Sequence, residues 1–268
     1  MREILSVVNP NIKKVIKLRN RRFRDETKLF LIEGYRELVK AINKDVQFDS
    51  LFICEDFFLK DNEENLIKKF EEKKITIFKC SEKVFQKISY RDRPDGLLAI
   101  AYQDQKGKEA FEIFVKNKEN LFLVVLEGIE KPGNLGTILR SCDGAKVDAV
   151  IICDPCTDIY NPNVVRASIG SLFTTPVFIC NSENAIDILK KNKIKILATT
   201  PHASDIYYEE NLKGSMAIVA GCEQYGLSNI WLTKADVCIK IPMKGESDSL
   251  NVATSTTIIV YEAIRQRS

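Results

Sequence analysis

Short, continuously apolar runs recur along this chain, separated by amphipathic segments, and that alternation limits its possible folds more than any other feature. Residues 121–126, 149–153, 194–199 and 216–220 carry almost no polar side chain. Strands of that kind are covered on both faces, which is typical of parallel sheets whose crossovers are helices. The intervening segments supply those helices at 134–145, 164–169, 185–191 and 251–267, with shorter strands at 177–180 and 237–241. The second half therefore reads as an α/β domain with a mostly parallel sheet. The first half alternates on a smaller scale. Strands are predicted at 29–32, 48–54, 75–78 and 97–102, and helices around Leu38 to Ile42, at 66–70, and after Ser81 with Val84, Phe85 and Ile88. A polar stretch separates the halves, so the expected division is a first domain at 1–105, a linker at 106–118 and a second domain at 119–268.

Composition narrows the chemistry. Eight cysteines fall mostly inside apolar runs, such as Cys153 and Cys180, and read as buried free thiols rather than a disulfide framework. The start lacks a secretory pattern and no run reaches the roughly 20 apolar residues that span a bilayer, so a cytoplasmic location without membrane contact is expected. A single histidine, His202, removes metal sites that need two histidines and most His-dependent nucleophilic catalysis. A zinc site through Cys153 and Cys156 lacks a second ligand pair, and no metal is expected.

The net charge of +3 is too small to imply a polyanionic partner by itself, but the charge is uneven. Between residues 11 and 40, ten basic residues stand against four acidic ones. The densest part, Arg19-Asn20-Arg21-Arg22-Phe23-Arg24, makes Arg19, Arg21, Arg22 and Arg24 candidates for contacts to RNA phosphates. A solvated charged face is the competing reading.

Three segments depart from core patterning: 127–140, 221–228 and 241–253. Each follows a predicted strand and leads toward a helix, the position where open α/β sheets bind ligands. The first holds Asn134 and Arg140 but has neither GxGxxG spacing nor a P-loop lysine, which weakens dinucleotide and nucleoside-triphosphate readings. Asn134 taken alone could be a helix cap. The others combine Gly221, Gly226 and Gly245 with a carboxylate, a hydroxyl and an amide at Glu223, Ser249 and Asn251.

Gly-Asn-Leu-Gly-Thr-Ile-Leu-Arg, Gly-Cys-Glu-Gln-Tyr-Gly-Leu-Ser and Ile-Pro-Met-Lys-Gly-Glu-Ser-Asp-Ser-Leu-Asn-Val resemble, in order and context, the three signature motifs of the SpoU (TrmH) family of RNA ribose 2′-O-methyltransferases, in the SPOUT class. The segment 161–171 resembles the family's stretch between the first two motifs. The resemblance covers roughly 121–267. It implies a deep trefoil knot in the C-terminal sheet and S-adenosylmethionine as cofactor. It places Gly221, Ile241, Met243 and Leu250 in the cofactor loops, with Thr199 and Thr200 opposite, and puts Asn134, Arg140, Glu223, Ser249 and Asn251 on catalytic positions. An arginine guanidinium is almost never neutral in a protein, so Arg140 is assigned first to positioning ribose and phosphate and only second to proton removal.

The first half resembles the ribosomal-protein-like RNA-binding domain many members carry. The resemblance further implies a homodimer that uses the helix after the first motif and the final helix. Ribosomal RNA of the large subunit, 23S, is the favoured substrate; transfer RNA, or a non-catalytic ribosome-associated role, is the alternative. One departure is Thr254-Ser255-Thr256-Thr257, more polar than the small apolar residues usual there.

Overall fold

The computed structural model describes residues 1–59, 62–116 and 118–268. Asn117 of the expected linker lies outside the described residues, as do Lys60 and Asp61 of the expected first domain. In chain order the elements begin β1 (Arg2–Ile4), α1 (Pro10–Lys17), α2 (Arg21–Thr27), β2 (Leu29–Glu33), α3 (Tyr35–Asn43), β3 (Phe48–Ile53), α4 (Glu63–Glu72), β4 (Thr76–Cys80), α5 (Glu82–Ile88) and β5 (Leu97–Tyr102). There follow α6 (Lys108–Val115), β6 (Phe122–Glu127), α7 (Pro132–Gly144), β7 (Ala149–Cys153), α8 (Pro162–Ser168), α9 (Ser171–Thr174), β8 (Val177–Cys180) and α10 (Ser182–Lys191). The last are β9 (Lys195–Thr199), β10 (Asp205–Ile206), β11 (Met216–Ala220), α11 (Asn229–Lys234), β12 (Val237–Lys240) and α12 (Val252–Arg267).

Two compact units result. The first comprises Met1–Asp104 and Asp158–Thr174, the second Gln105–Thr157 and Thr175–Ser268. The first unit holds a five-stranded sheet in the order β1-β4-β3-β5-β2, in which β5 runs antiparallel to both neighbours. The basic N-terminal segment forms two helices, α1 and α2. Asn20 accepts a hydrogen bond from the Arg22 amide at 2.9 Å and starts α2, because an Asn at that position satisfies an otherwise unpaired helix-start donor.

Inside this unit lies a segment whose sequence position suggested the second domain. The Tyr160 ring packs at a tilt against Phe30 with centroids 4.5 Å apart, and its hydroxyl accepts from the Asp104 amide at 2.9 Å. Asp158 accepts from Arg24 Nε at 2.8 Å and from a terminal nitrogen at 2.7 Å. Helix α8 packs on β2 and α9 on α3.

The second unit holds a seven-stranded, wholly parallel sheet in the order β10-β12-β9-β11-β6-β7-β8. Strands β6, β7 and β11 are buried at every residue, as continuous apolar runs require. The expected linker is partly ordered core: Phe111 and Val115 of α6 are buried in the same cluster as Phe178 and Trp231. Only its polar residues had been visible in the local pattern. Burial pushes the Cys54 thiol up to about 11 and the Cys80 and Cys142 thiols to about 12, so these side chains behave as small apolar groups.

Arg24 is 1% exposed, and Leu18 and Arg19 carbonyls accept from its Nη1 at 2.8 and 2.9 Å. Removing one member of such a buried pair strands the other charge. Arg24→Ala is therefore expected to destabilise the first unit by roughly 3–5 kcal/mol. Urea denaturation monitored in that unit checks this, and a loss below about 1 kcal/mol contradicts it.

Candidate active site

Strand order sets the site. β9 lies between β11 and β12, pairing Ala198 with Val219 on one side and Thr199 with Ile239 on the other. Thr199-Thr200, the loop from Gly221 and the loop from Ile241 therefore leave adjacent carboxyl ends of the sheet. Thr199 Oγ1 donates to the Val219 carbonyl at 2.9 Å, and the Thr200 amide to the Ile239 carbonyl at 3.0 Å. These two threonines thus tie the neighbouring strands together where the loops begin.

Gly221 has a structural reason to be glycine. An added Cβ would lie 2.3 Å from the Gly226 carbonyl carbon and 2.4 Å from the Leu227 nitrogen, because the loop folds back on itself. Gly226 closes that turn at φ +69°. The close approach expected between Gly221 and a ligand is thus first an approach between two stretches of backbone.

Side chains from all three motifs meet. Asn134 is not a cap: α7 starts at Pro132 behind Lys131, leaving the Asn134 amide free to work outside its own helix. Its Nδ2 donates to Glu223 Oε1, and its Oδ1 accepts from Asn251 Nδ2 at 3.2 Å. Asn251 also caps α12, accepting from the Ala253 amide at 2.9 Å. Glu223 Oε2 is buried and has no hydrogen-bond partner among the described residues. A buried carboxylate oxygen of that kind is uncommon.

The other candidates are not drawn into this cluster. Ser249 and Leu250 are exposed, as is every residue from Lys244 to Asn251. Arg140 is exposed on α7 and makes no hydrogen bond or ion pair among the described residues. The backbone of Ile241–Leu250 likewise makes no hydrogen bond among the described residues, so its amides and carbonyls are available to a ligand. That is the donor set a cofactor held by main-chain groups needs, and S-adenosylmethionine fits it.

One supporting residue escaped the motif reading. Glu127, at the end of apolar β6, accepts from the Ser228 amide at 2.7 Å and its hydroxyl at 2.6 Å, anchoring the far end of the Gly221 loop. Trp231 Nε1 donates to Ser182 Oγ at 2.9 Å, and that oxygen lies 3.1 Å from Glu127 Oε1. A charge terminating an otherwise apolar strand was the available signal. The polar stretch in α12 also has a local cause: Ser141 of α7 and Thr257 are hydroxyl to hydroxyl at 2.7 Å, joining the two helices.

Of the basic cluster, Arg21 and Arg22 are exposed, at 56% and 88% of their side chains. Arg19 donates to the Ile88 and Ser89 carbonyls at 2.9 and 2.8 Å, closing the end of α5. Arg24 is withdrawn from the RNA-contacting set, since its guanidinium is committed to Asp158 and two carbonyls. Among the described residues no group of His, Cys, Asp and Glu could hold a metal ion, and no helix is long and apolar enough to cross a membrane.

A parallel sheet with loops at its carboxyl edge, polar side chains converging from three motifs and free loop backbone defines a ligand site of the kind open α/β proteins place at their strand ends. The family model described as the SpoU rRNA Methylase family matches residues 121–261, and one described as an MRM3-like substrate binding domain matches residues 9–99. The chain belongs to the SpoU family. It is 29% identical to the 23S rRNA (guanosine(2553)-2′-O)-methyltransferase RlmP of Bacillus subtilis, over 97% of this chain and 98% of that protein. It is 30% identical to the 23S rRNA (guanosine-2′-O-)-methyltransferase RlmB of Pectobacterium atrosepticum, over 85% and 96%. An AdoMet-bound rRNA methyltransferase from Sinorhizobium meliloti superposes with a TM-score of 0.88 at 28% identity, covering 98% of this chain and 97% of that one. A crystallised RNA 2′-O ribose methyltransferase gives 0.83 at 34% identity, with 98% of each chain covered.

Replacing Gly221 by Val is expected to push the loop off Gly226 and weaken S-adenosylmethionine binding roughly tenfold or more, about 1.4 kcal/mol. Calorimetry checks this; unchanged affinity shows that the fold-back does not shape the cofactor site.

Proposed function

We propose that this chain transfers a methyl group from S-adenosylmethionine to a ribose 2′-hydroxyl of 23S ribosomal RNA, in the cytoplasm, as a homodimer. The observation that carries this reading is the meeting of Asn134, Glu223 and Asn251 beside a loop with unused backbone groups. S-adenosylmethionine supplies an activated methyl group on its sulfonium. The backbone of 241–250 holds the cofactor together with the Gly221 loop and Thr199-Thr200. Asn134, fixed at both ends of its amide, and Glu223, with one oxygen unused, orient what approaches the methyl group. In-line attack needs such placement, and effective alignment accounts for much of the rate in group transfers of this type.

Arg140 completes the site by positioning ribose and phosphate, and it does so across a subunit interface. Supporting this, Gly133, Thr137 and Arg140 form an exposed stripe on α7, and Thr254, Tyr261 and Arg265 are exposed on α12, which packs beside it. The knotted path belongs to the same reading: after the Gly221 loop the chain pairs β12 beyond β9, and α12 then returns to pack on α7 and β11. Arg21 and Arg22 serve as phosphate contacts.

Mapping ribose methylation of 23S ribosomal RNA with and without the gene tests the substrate; identical maps refute it. Arg140→Ala is expected to abolish transfer while S-adenosylmethionine affinity stays within about twofold, because a guanidinium on the RNA side touches no cofactor group. Mixed dimers of Arg140→Ala chains with Gly221→Val chains are expected to regain activity at the one whole site they contain. Verified mixed dimers no more active than their parents reject the shared site.

A further inference from the structure

The first unit contains a cavity of about 560 Å³ that the methyl-transfer site does not use. Tyr35, Arg36, Glu37, Arg91, Asp95 and Arg166 line it. Its volume lies in the usual range for small-molecule sites, and its lining is ordered by charge. At the floor, Arg91 donates to Glu37 Oε1 at 2.6 Å and to the Glu33 carbonyl at 2.9 Å, while Asp95 Oδ2 accepts from the Tyr35 amide at 2.8 Å. Gly34 makes room for that pair: at φ +112°, an added Cβ would stand 2.3 Å from Arg91 Nη2 and 2.5 Å from Glu37 Oε2. Burial pushes the Glu37 carboxyl up, against the pull of Arg91.

Two features point to a ligand. Asp95 is 6% exposed, yet among the described residues its Oδ1 has no hydrogen-bond partner, and Arg91 Nε, also buried, has none. Buried polar atoms left unpaired in this way cost stability and are rare. Arg36 and Arg166, in contrast to Arg91, are exposed, and neither guanidinium makes a hydrogen bond or ion pair among the described residues. Two exposed cations, one of them Arg166 with its guanidinium 5.9 Å from the Tyr90 ring centre, beside an aromatic and a pair of acceptors match the parts of a nucleotide: phosphate, stacking face and N–H edge.

We propose that this cavity takes one unpaired nucleotide of the RNA substrate, separate from the nucleotide that is methylated. Arg36 and Arg166 meet its phosphate, Tyr35 meets the face of its base, and Asp95 and Glu37 accept from its N–H donors. A base bearing donors along its pairing edge is favoured over one bearing acceptors only. The inference rests on the reading of the chain as an RNA methyltransferase.

The test uses the full chain and ribosomal RNA from cells lacking the gene. Because Arg36 and Arg166 are exposed and make no hydrogen bond or ion pair among the described residues, the double variant Arg36→Ala, Arg166→Ala is expected to fold normally. It should raise the KM for RNA roughly tenfold or more, with the KM for S-adenosylmethionine unchanged. In an otherwise unaltered chain, Arg36→Lys should raise the KM for RNA less than Arg36→Ala does. Tyr35→Leu keeps the apolar bulk and removes the aromatic face, and should raise the same KM by roughly fivefold. An RNA KM within about twofold of the parent for the double variant overturns the proposal. So does an unaffected Tyr35→Leu, which would leave only a surface phosphate contact. Should the parent protein methylate no ribosomal RNA, the functional reading falls by itself. RNA affinity of the same variants by fluorescence anisotropy then judges the cavity, and unchanged affinity overturns it.

Discussion

The pairing of β9 with β11 on one side and β12 on the other is the constraint from which the rest of the second unit follows. Three segments far apart in sequence become neighbours only because these strands are parallel and in register. A one-residue slip would turn Thr199 to the opposite face and dissolve the Thr199–Val219 bond. The Gly221 fold-back and the unbonded loop after Ile241 are positioned by the same three strand ends. Asn251 and Asn134 add the last link, since the residue that starts α12 also holds the side chain beside the start of α7.

Much of this was legible in the sequence, for identifiable reasons. Fully buried parallel strands write themselves as apolar runs, so every strand of the second unit's sheet could be read except the two-residue edge strand β10, which is too short and too polar to leave a pattern. The motifs were visible because glycines and polar side chains interrupt those runs. What could not be read was anything fixed by contacts distant in sequence. Arg24 looks like a phosphate ligand beside Arg21 and Arg22, and only Asp158, 134 positions away, makes it a buried anchor. Asn134 looks like a helix cap until Glu223 is placed beside it. The partial order of 106–118 was hidden because Phe111 and Val115 sit among polar neighbours, and burial of two side chains leaves a faint pattern.

The division of the chain also follows packing more than sequence order. Residues 158–174 leave the second unit, give Tyr160 and Asp158 to the first, and return as β8. The SpoU family match over 121–261 therefore takes in part of both units, and the 161–171 stretch within it belongs to the first. It also explains how Arg166, numbered among the residues between two motifs, comes to line a cavity of the first unit.

The central claim is that the strand-end loops serve ribose methylation, and the identity of the modified nucleoside tests it most directly. Purified protein, isotopically labelled S-adenosylmethionine and 23S ribosomal RNA lacking the modification would be incubated, and the RNA digested to nucleosides for mass spectrometry. The account predicts label in a single 2′-O-methylnucleoside, absent when Asn134 is replaced by Ala. Label on a base, or undiminished ribose label from the Asn134→Ala protein, would contradict it.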